Sequence, residues 1–214
     1  MKINLSENVS YYTQRNNRFY PYGTCNTTSM IQALEASSIP FDYPEGVQPE
    51  DHLTKILDTK EAWDIMKARH PWAVPGGLAP RHVHSMLDWA VNEKLVGQNV
   101  VGFRKNVSIQ EILLSILRGC AVVVGGRFTK YGHIVTVVGL DTAQESLTPE
   151  SSAEEINLEQ VSHIIIDDPY GNFHTGYKDV NGNDTLYTVQ QFDWVVKSYN
   201  DPNNKWAHIF GGVL

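Results

Sequence analysis

Position 120 divides the chain into two kinds of hydrophobic pattern, and that division limits the fold more than any other feature. Beyond it, residues 121–128 and 133–140 are β-branched with continuous apolar stretches, as expected of strands buried on both faces. Residues 162–167 and 186–189 read as further strands, 190–197 as a short helix and 206–210 as a closing strand. Before position 120 the apolar residues recur mainly at helical spacing. A helix begins at or just before Cys25 and runs to Ala36, with Pro40 forbidding its continuation. Helical patterns follow at 49–58, 60–69 and 80–94; in the last, Val83, Met86, Leu87 and Ala90 share a face. Residues 100–104 form a short strand, and Ser108 with Glu111 makes a capping box for a helix ending near Gly119. Helices mostly first and strands mostly last is an α+β arrangement, with N-terminal helices packed on a C-terminal antiparallel sheet.

A chain of 214 residues buries enough surface to fold as one domain, 1–214, without covalent staples. Its two cysteines, Cys25 and Cys120, are too few for a disulfide framework or a four-cysteine zinc site. The net charge of −7 argues against nucleic acid as a partner and against unaided adhesion to anionic membranes. Residues 141–160 carry six acids and no lysine or arginine, read either as a solvated excursion between strands or as a lid over a site. No run reaches the roughly 18 apolar residues of a membrane span. The start, Met1 to Asn8, lacks the apolar stretch of a secretory signal. The expectation is therefore a chain made in the cytoplasm that stays there or leaves by lysis or another route.

Cys25 stands apart from Cys120. Cys120 precedes the apolar run Ala121-Val122-Val123-Val124, whereas Cys25 follows Tyr22-Gly23-Thr24 at the predicted first turn of a helix. Unpaired amide N–H groups and the helix dipole favour an anion there, and the thiolate is the form that attacks a carbonyl. The imidazole partner is His133, a polar ring opening a buried strand after Gly132. An acid at the mouth of a neighbouring strand can accept the imidazole N–H; Asp168, before Pro169, is the candidate, with Asp167 in reserve.

Gln14, Gly23-Thr24-Cys25-Asn26-Thr27-Thr28-Ser29-Met30, Ala121 to Gly125 leading to Gly132-His133, and Asp167-Asp168-Pro169 together resemble the double-glycine leader peptidase-like group of papain-fold cysteine peptidases. The resemblance spans about residues 10–175 and is to the stand-alone phage or bacterial type. It implies a papain-like fold with Cys25 as nucleophile, His133 as general base and acid, and Asp168 as orienter. It also implies that Gln14 donates its amide to an oxyanion hole with the Cys25 backbone N–H. No cofactor is implied. By analogy the substrate is a peptide, foremost the peptides of peptidoglycan. A non-catalytic peptide-binding module and an amidase or acyltransferase are the rival readings. Asn26 stands where the group usually has glycine, and Gln14 lies eleven residues before Cys25, farther than in papain.

Other candidates carry weaker signals. His82-Val83-His84 would hold a metal only as a strand, because residues two apart on a helix diverge. His174 and His208 are rival histidines with structural roles expected. Residues 179–184 alternate oxygen-bearing side chains like a calcium loop but lack the glycine an EF-hand needs at Asp184. Asn181-Gly182 reads better as a hairpin turn between 176–177 and 186–187. Tyr11, Tyr12, Phe19, Tyr20 and Tyr22 crowd the nucleophile as groove wall or as core.

Overall fold

The computed structural model describes residues 1–197 and 204–211. Its elements run β1 Lys2–Asn4, α1 Cys25–Ala36, α2 Pro49–Leu57, α3 Lys60–Arg69, α4 His84–Trp89, β2 Val101–Lys105 and α5 Ile109–Leu117. β3 Val122–Gly126, β4 His133–Thr142, β5 Val161–Asp167, β6 Thr185–Tyr187, α6 Val189–Val195 and β7 Trp206–Phe210 follow. The strands form one antiparallel sheet in the order β2-β7-β3-β4-β5-β6, with β1 also paired to β4. The fold is α+β and papain-like.

Both faces of the sheet are covered, which explains the unbroken valine runs. Val123, Val138 and Ile165 face the core shared with α1–α4, while Val122, Val124, Val135 and Val137 face the core shared with α5 and α6. The expected helical layer is thus split, with α5 and α6 on the face opposite the earlier helices. A bulge where β4 leaves register with β5, between Val137 and Gly139, shifts the alternation so that Leu140 joins Val135 and Val137 in one core.

α1 is buried nearly all round despite its polar first turns. Asn26, Thr27, Thr28, Ser29 and Gln32 are all buried, so they need internal partners. The Ser29 hydroxyl donates to the Ile134 carbonyl (3.1 Å) and the Thr136 hydroxyl to the Ser29 carbonyl (3.0 Å). These two bonds, each contributing about 1 kcal/mol, fix α1 against β4 and so set Cys25 beside His133. The Thr27 and Thr54 hydroxyls meet at 3.0 Å and hold α1 to α2.

Two local expectations are corrected, one strand is added, and one of the two readings of the acidic segment falls. β1 is a strand only because Lys2, Ile3 and Asn4 pair with Asp141, Leu140 and Gly139; three residues carry no readable period. The single helix expected over 80–94 is broken: Pro80–His82 is a 3₁₀ turn, Val83 is extended, and a π-helical turn at Ala90–Val96 follows α4. The hairpin turn at Asn181-Gly182 is not made, because β6 pairs with β5 instead and residues 176–177 lie in a turn. Finally, the excursion 141–160 leaves from the end of β4 opposite His133. Ten residues of strand, about 30 Å, separate the two, so it is no lid.

Candidate active site

Cys25 is the first residue of α1, where the amide N–H groups have no acceptor within the helix. Thr24 makes no side-chain cap; its hydroxyl donates instead to the Tyr20 carbonyl (3.0 Å). His133 opens β4 after Gly132, whose φ of +84° suits glycine. The Thr129 hydroxyl donates to the Gly132 carbonyl at 2.8 Å and closes that turn.

The structure brings Cys25, His133 and Asp168 together. His133 Nε2 lies 2.7 Å from Asp168 Oδ1, and Cys25 lines the same cavities as this ring, leaving Nδ1 as the nitrogen for sulfur. The ring is 6% exposed. Burial works against its cationic form, but the charges and hydrogen bonds of Asp168 and Cys25 outweigh burial and hold His133 up to about 10. Phe128, Tyr170 and Tyr177 approach the ring edge-on.

Asp168 is fully buried and held from several sides. Its Oδ1 also accepts the Tyr170 N–H (2.9 Å), its Oδ2 the Tyr177 hydroxyl (3.3 Å), and its carbonyl the Tyr11 hydroxyl (2.6 Å). Its own N–H donates to the Gly182 carbonyl (2.9 Å). A Cβ on Gly182 would stand 2.1 Å from the Asp168 carbonyl oxygen, so the loop reaches this acid only through glycine. Asp167 points the other way, accepting the Asp184 N–H at 2.9 Å, as strand alternation requires.

Gln14 is buried, donating Nε2 to the Pro21 carbonyl (3.0 Å), while its Oε1 has no partner. It lines a cavity of about 540 Å³ with Tyr22, Cys25, His133 and Tyr177. A second cavity of about 410 Å³ lies beside Asn26, Arg81, His84 and Trp206. Both include Cys25, Tyr131, Gly132 and His133, so they are two halves of one cleft meeting at the thiol and the imidazole. An imidazole that keeps its proton beside a thiol can hand that proton to a departing amine.

Residues 6–200 match the model of the Peptidase_C39 like family. The chain belongs to that family. It is thereby placed among the C39-type, papain-like cysteine peptidases. Searches of the curated proteins and of the solved structures give no match.

Of the aromatic cluster, only Tyr22 lines the cleft. Tyr11 braces Asp168, Tyr12 packs against the α1 core, and Tyr20 lies under the Arg81 guanidinium. His82 and His84 part company: His82 Nδ1 accepts the Ala79 N–H (3.3 Å), and His84 bonds His208. The oxygens of Asp179 and Asn181 accept the N–H groups of Asn181 and Asn183 in short turns. His174 bonds the Leu186 carbonyl (2.8 Å). Among the described residues no group of three or more His, Cys, Asp or Glu is arranged around a metal position, and no helix is long and apolar enough to cross a membrane. Sequence reasoning missed Tyr177 as a brace of Asp168, and it missed His84 as part of the cleft.

Proposed function

We propose that the chain hydrolyses peptide bonds with Cys25 as nucleophile, His133 as general acid and base, and Asp168 as its orienter. The observation that carries this reading is His133, held by Asp168 through Nε2 and lining the cleft with Cys25 where its two halves meet. The Cys25 sulfur attacks the substrate carbonyl carbon. The C–N bond then breaks, and the amine leaves with the proton from His133. Water gives a proton to His133 as its oxygen attacks the thioester, and the C–S bond breaks to restore the thiol. The oxyanion is received by the Cys25 N–H and by Gln14, whose Nε2 carries a second hydrogen besides the one given to Pro21.

The substrate class is a cell-wall peptide, with the chain acting as a peptidoglycan endopeptidase. A cleft extending to both sides of the thiol supports an extended peptide, and the resemblance to stand-alone wall-active proteins supports the wall as its source. The test is a product map from purified peptidoglycan and from a mixed peptide library, with Cys25→Ala as control. New amino termini inside stem or bridge peptides are expected. Release of intact glycan stripped of peptide would replace the endopeptidase by an amidase. Identical maps for wild type and Cys25→Ala would leave a binding module.

A further inference from the structure

The cleft is unlike the rest of this acidic chain. Among the described residues no aspartate or glutamate lines either half, and the half beside Asn26 is lined by Arg81, His82, His84 and Lys197. The acids that neutralise these groups stand behind them, outside the cavity. Arg81 Nη1 pairs with Asp58 at 3.1 Å, and Lys197 pairs with Asp193 at 3.1 Å. His84 is backed by a relay: its Nδ1 meets His208 Nε2 at 3.0 Å, and His208 Nδ1 meets Asp88 Oδ1 at 2.6 Å. The second Asp88 oxygen accepts the Phe103 N–H (2.8 Å), so this acid is fixed too.

The two innermost groups are also immobilised by aromatic rings. The Arg81 guanidinium lies 3.9 Å over Tyr20, and the His84 ring stacks on Phe103 at 4.0 Å and 8°. Donors held in place before a ligand arrives lose little entropy on binding it. Arg81 bonds Asp58 through Nη1 alone among the hydrogen bonds of the described residues, and a guanidinium carries five N–H donors. With Nδ1 taken by His208, His84 offers Nε2. That nitrogen carries the hydrogen in the tautomer whose Nδ1 accepts from His208.

We infer that this half of the cleft is a carboxylate subsite, in which Arg81 and His84 bind an acidic group of the substrate next to the scissile bond. The inference takes the cleft of the proposed peptidase as the substrate site and rests on that reading. Anionic peptides are thus drawn to a chain whose net charge would otherwise repel them, because six of its acids lie at 141–160, at the far end of β4.

The test measures binding rather than turnover. Intact protein is titrated with N-acetylglutamate α-amide and, separately, N-acetylglutamine α-amide, following the Trp206 and His84 NMR signals. N-acetylalanine and its amide form a second pair, for a chain-terminal carboxylate. The acid of at least one pair should bind about tenfold tighter than its neutral partner, as one charge-assisted bond requires, and the pair that responds identifies the source. Arg81→Gln and His84→Asn should each abolish the preference. Lys197→Gln, a change at a more exposed side chain, should weaken it several-fold, and Lys130→Gln, at a residue lining the Gln14 half, should leave it intact. Equal binding within both pairs, or shifts confined to the Gln14 half, would overturn the subsite. A protein that prefers the acid yet cleaves nothing would keep the subsite and lose the peptidase.

Discussion

Two imidazoles face the same cleft, and their protonation is set in opposite directions by what stands behind each. Behind His133 is a carboxylate, 2.7 Å away, and the ring is held up to about 10 although burial opposes it. Behind His84 is another imidazole, with Asp88 one ring farther off. Burial, then the charges of His208 and Lys105, push His84 down to about 3. In a poorly solvated site the first neighbour decides whether a histidine is a cation; an acid elsewhere in the network does not.

The comparison breaks first, and most visibly, at Asp168. Asp168→Asn removes the direct carboxylate, so His133 should titrate below neutrality and peptide cleavage should fall on the order of a thousandfold. Ring titration by NMR and cleavage rates report the two effects; a His133 still protonated at pH 8 in this variant would sink the explanation. Linkage gives a further sign. The folded value lies above the ordinary 6.5, so the pair's contribution to stability is complete below about pH 6.5 and is lost as pH rises through about 10. The variant should lack that slope.

Gln14→Ala sharpens the comparison by leaving both imidazoles in place. Turnover should drop about a hundredfold with KM little changed, because one oxyanion donor is lost. Unchanged steady-state rates in the folded variant would exclude Gln14 from the site.

The last effect is on stability and concerns the neighbouring acid. Asp167 is raised to about 7, chiefly by burial, with the Asp184 charge adding and the Asp184 N–H opposing. Its folded value exceeds the ordinary 3.8, so the native state holds the proton more tightly and stability falls as pH rises from about 4 to about 7. Asp167→Asn should therefore gain up to about 4 kcal/mol over wild type at pH 8 and less at pH 5, read by urea unfolding. An offset equal at both values would show that ionisation of Asp167 costs nothing.

Much of this was legible in the chain. α1 and β7 fall where they were expected, since Pro40 stops the first and β-branched or aromatic residues mark the second. Cys25 and His133 declared themselves by standing at the openings of a helix and a strand. Strand parity separates Asp168 from Asp167, and parity could not be counted before the register of β5 was known. β1 was unreadable because its pairing partner supplies all its definition. His84 was invisible as a cleft residue because the ring that positions it is 124 residues away, a separation that only the sheet closes.

The acidic excursion has a practical side. Leu147 and Ile156 anchor it in the core that includes α5, and Arg118 Nε holds the Pro149 carbonyl at 3.0 Å. Residues 148–150, between Leu147 and Ile156, are exposed. A foreign module or affinity handle spliced at this apex would hang from the pole remote from the reactive groove, where grafts are best tolerated. It could recruit the molecule to a surface while leaving the entrance for incoming chains unobstructed.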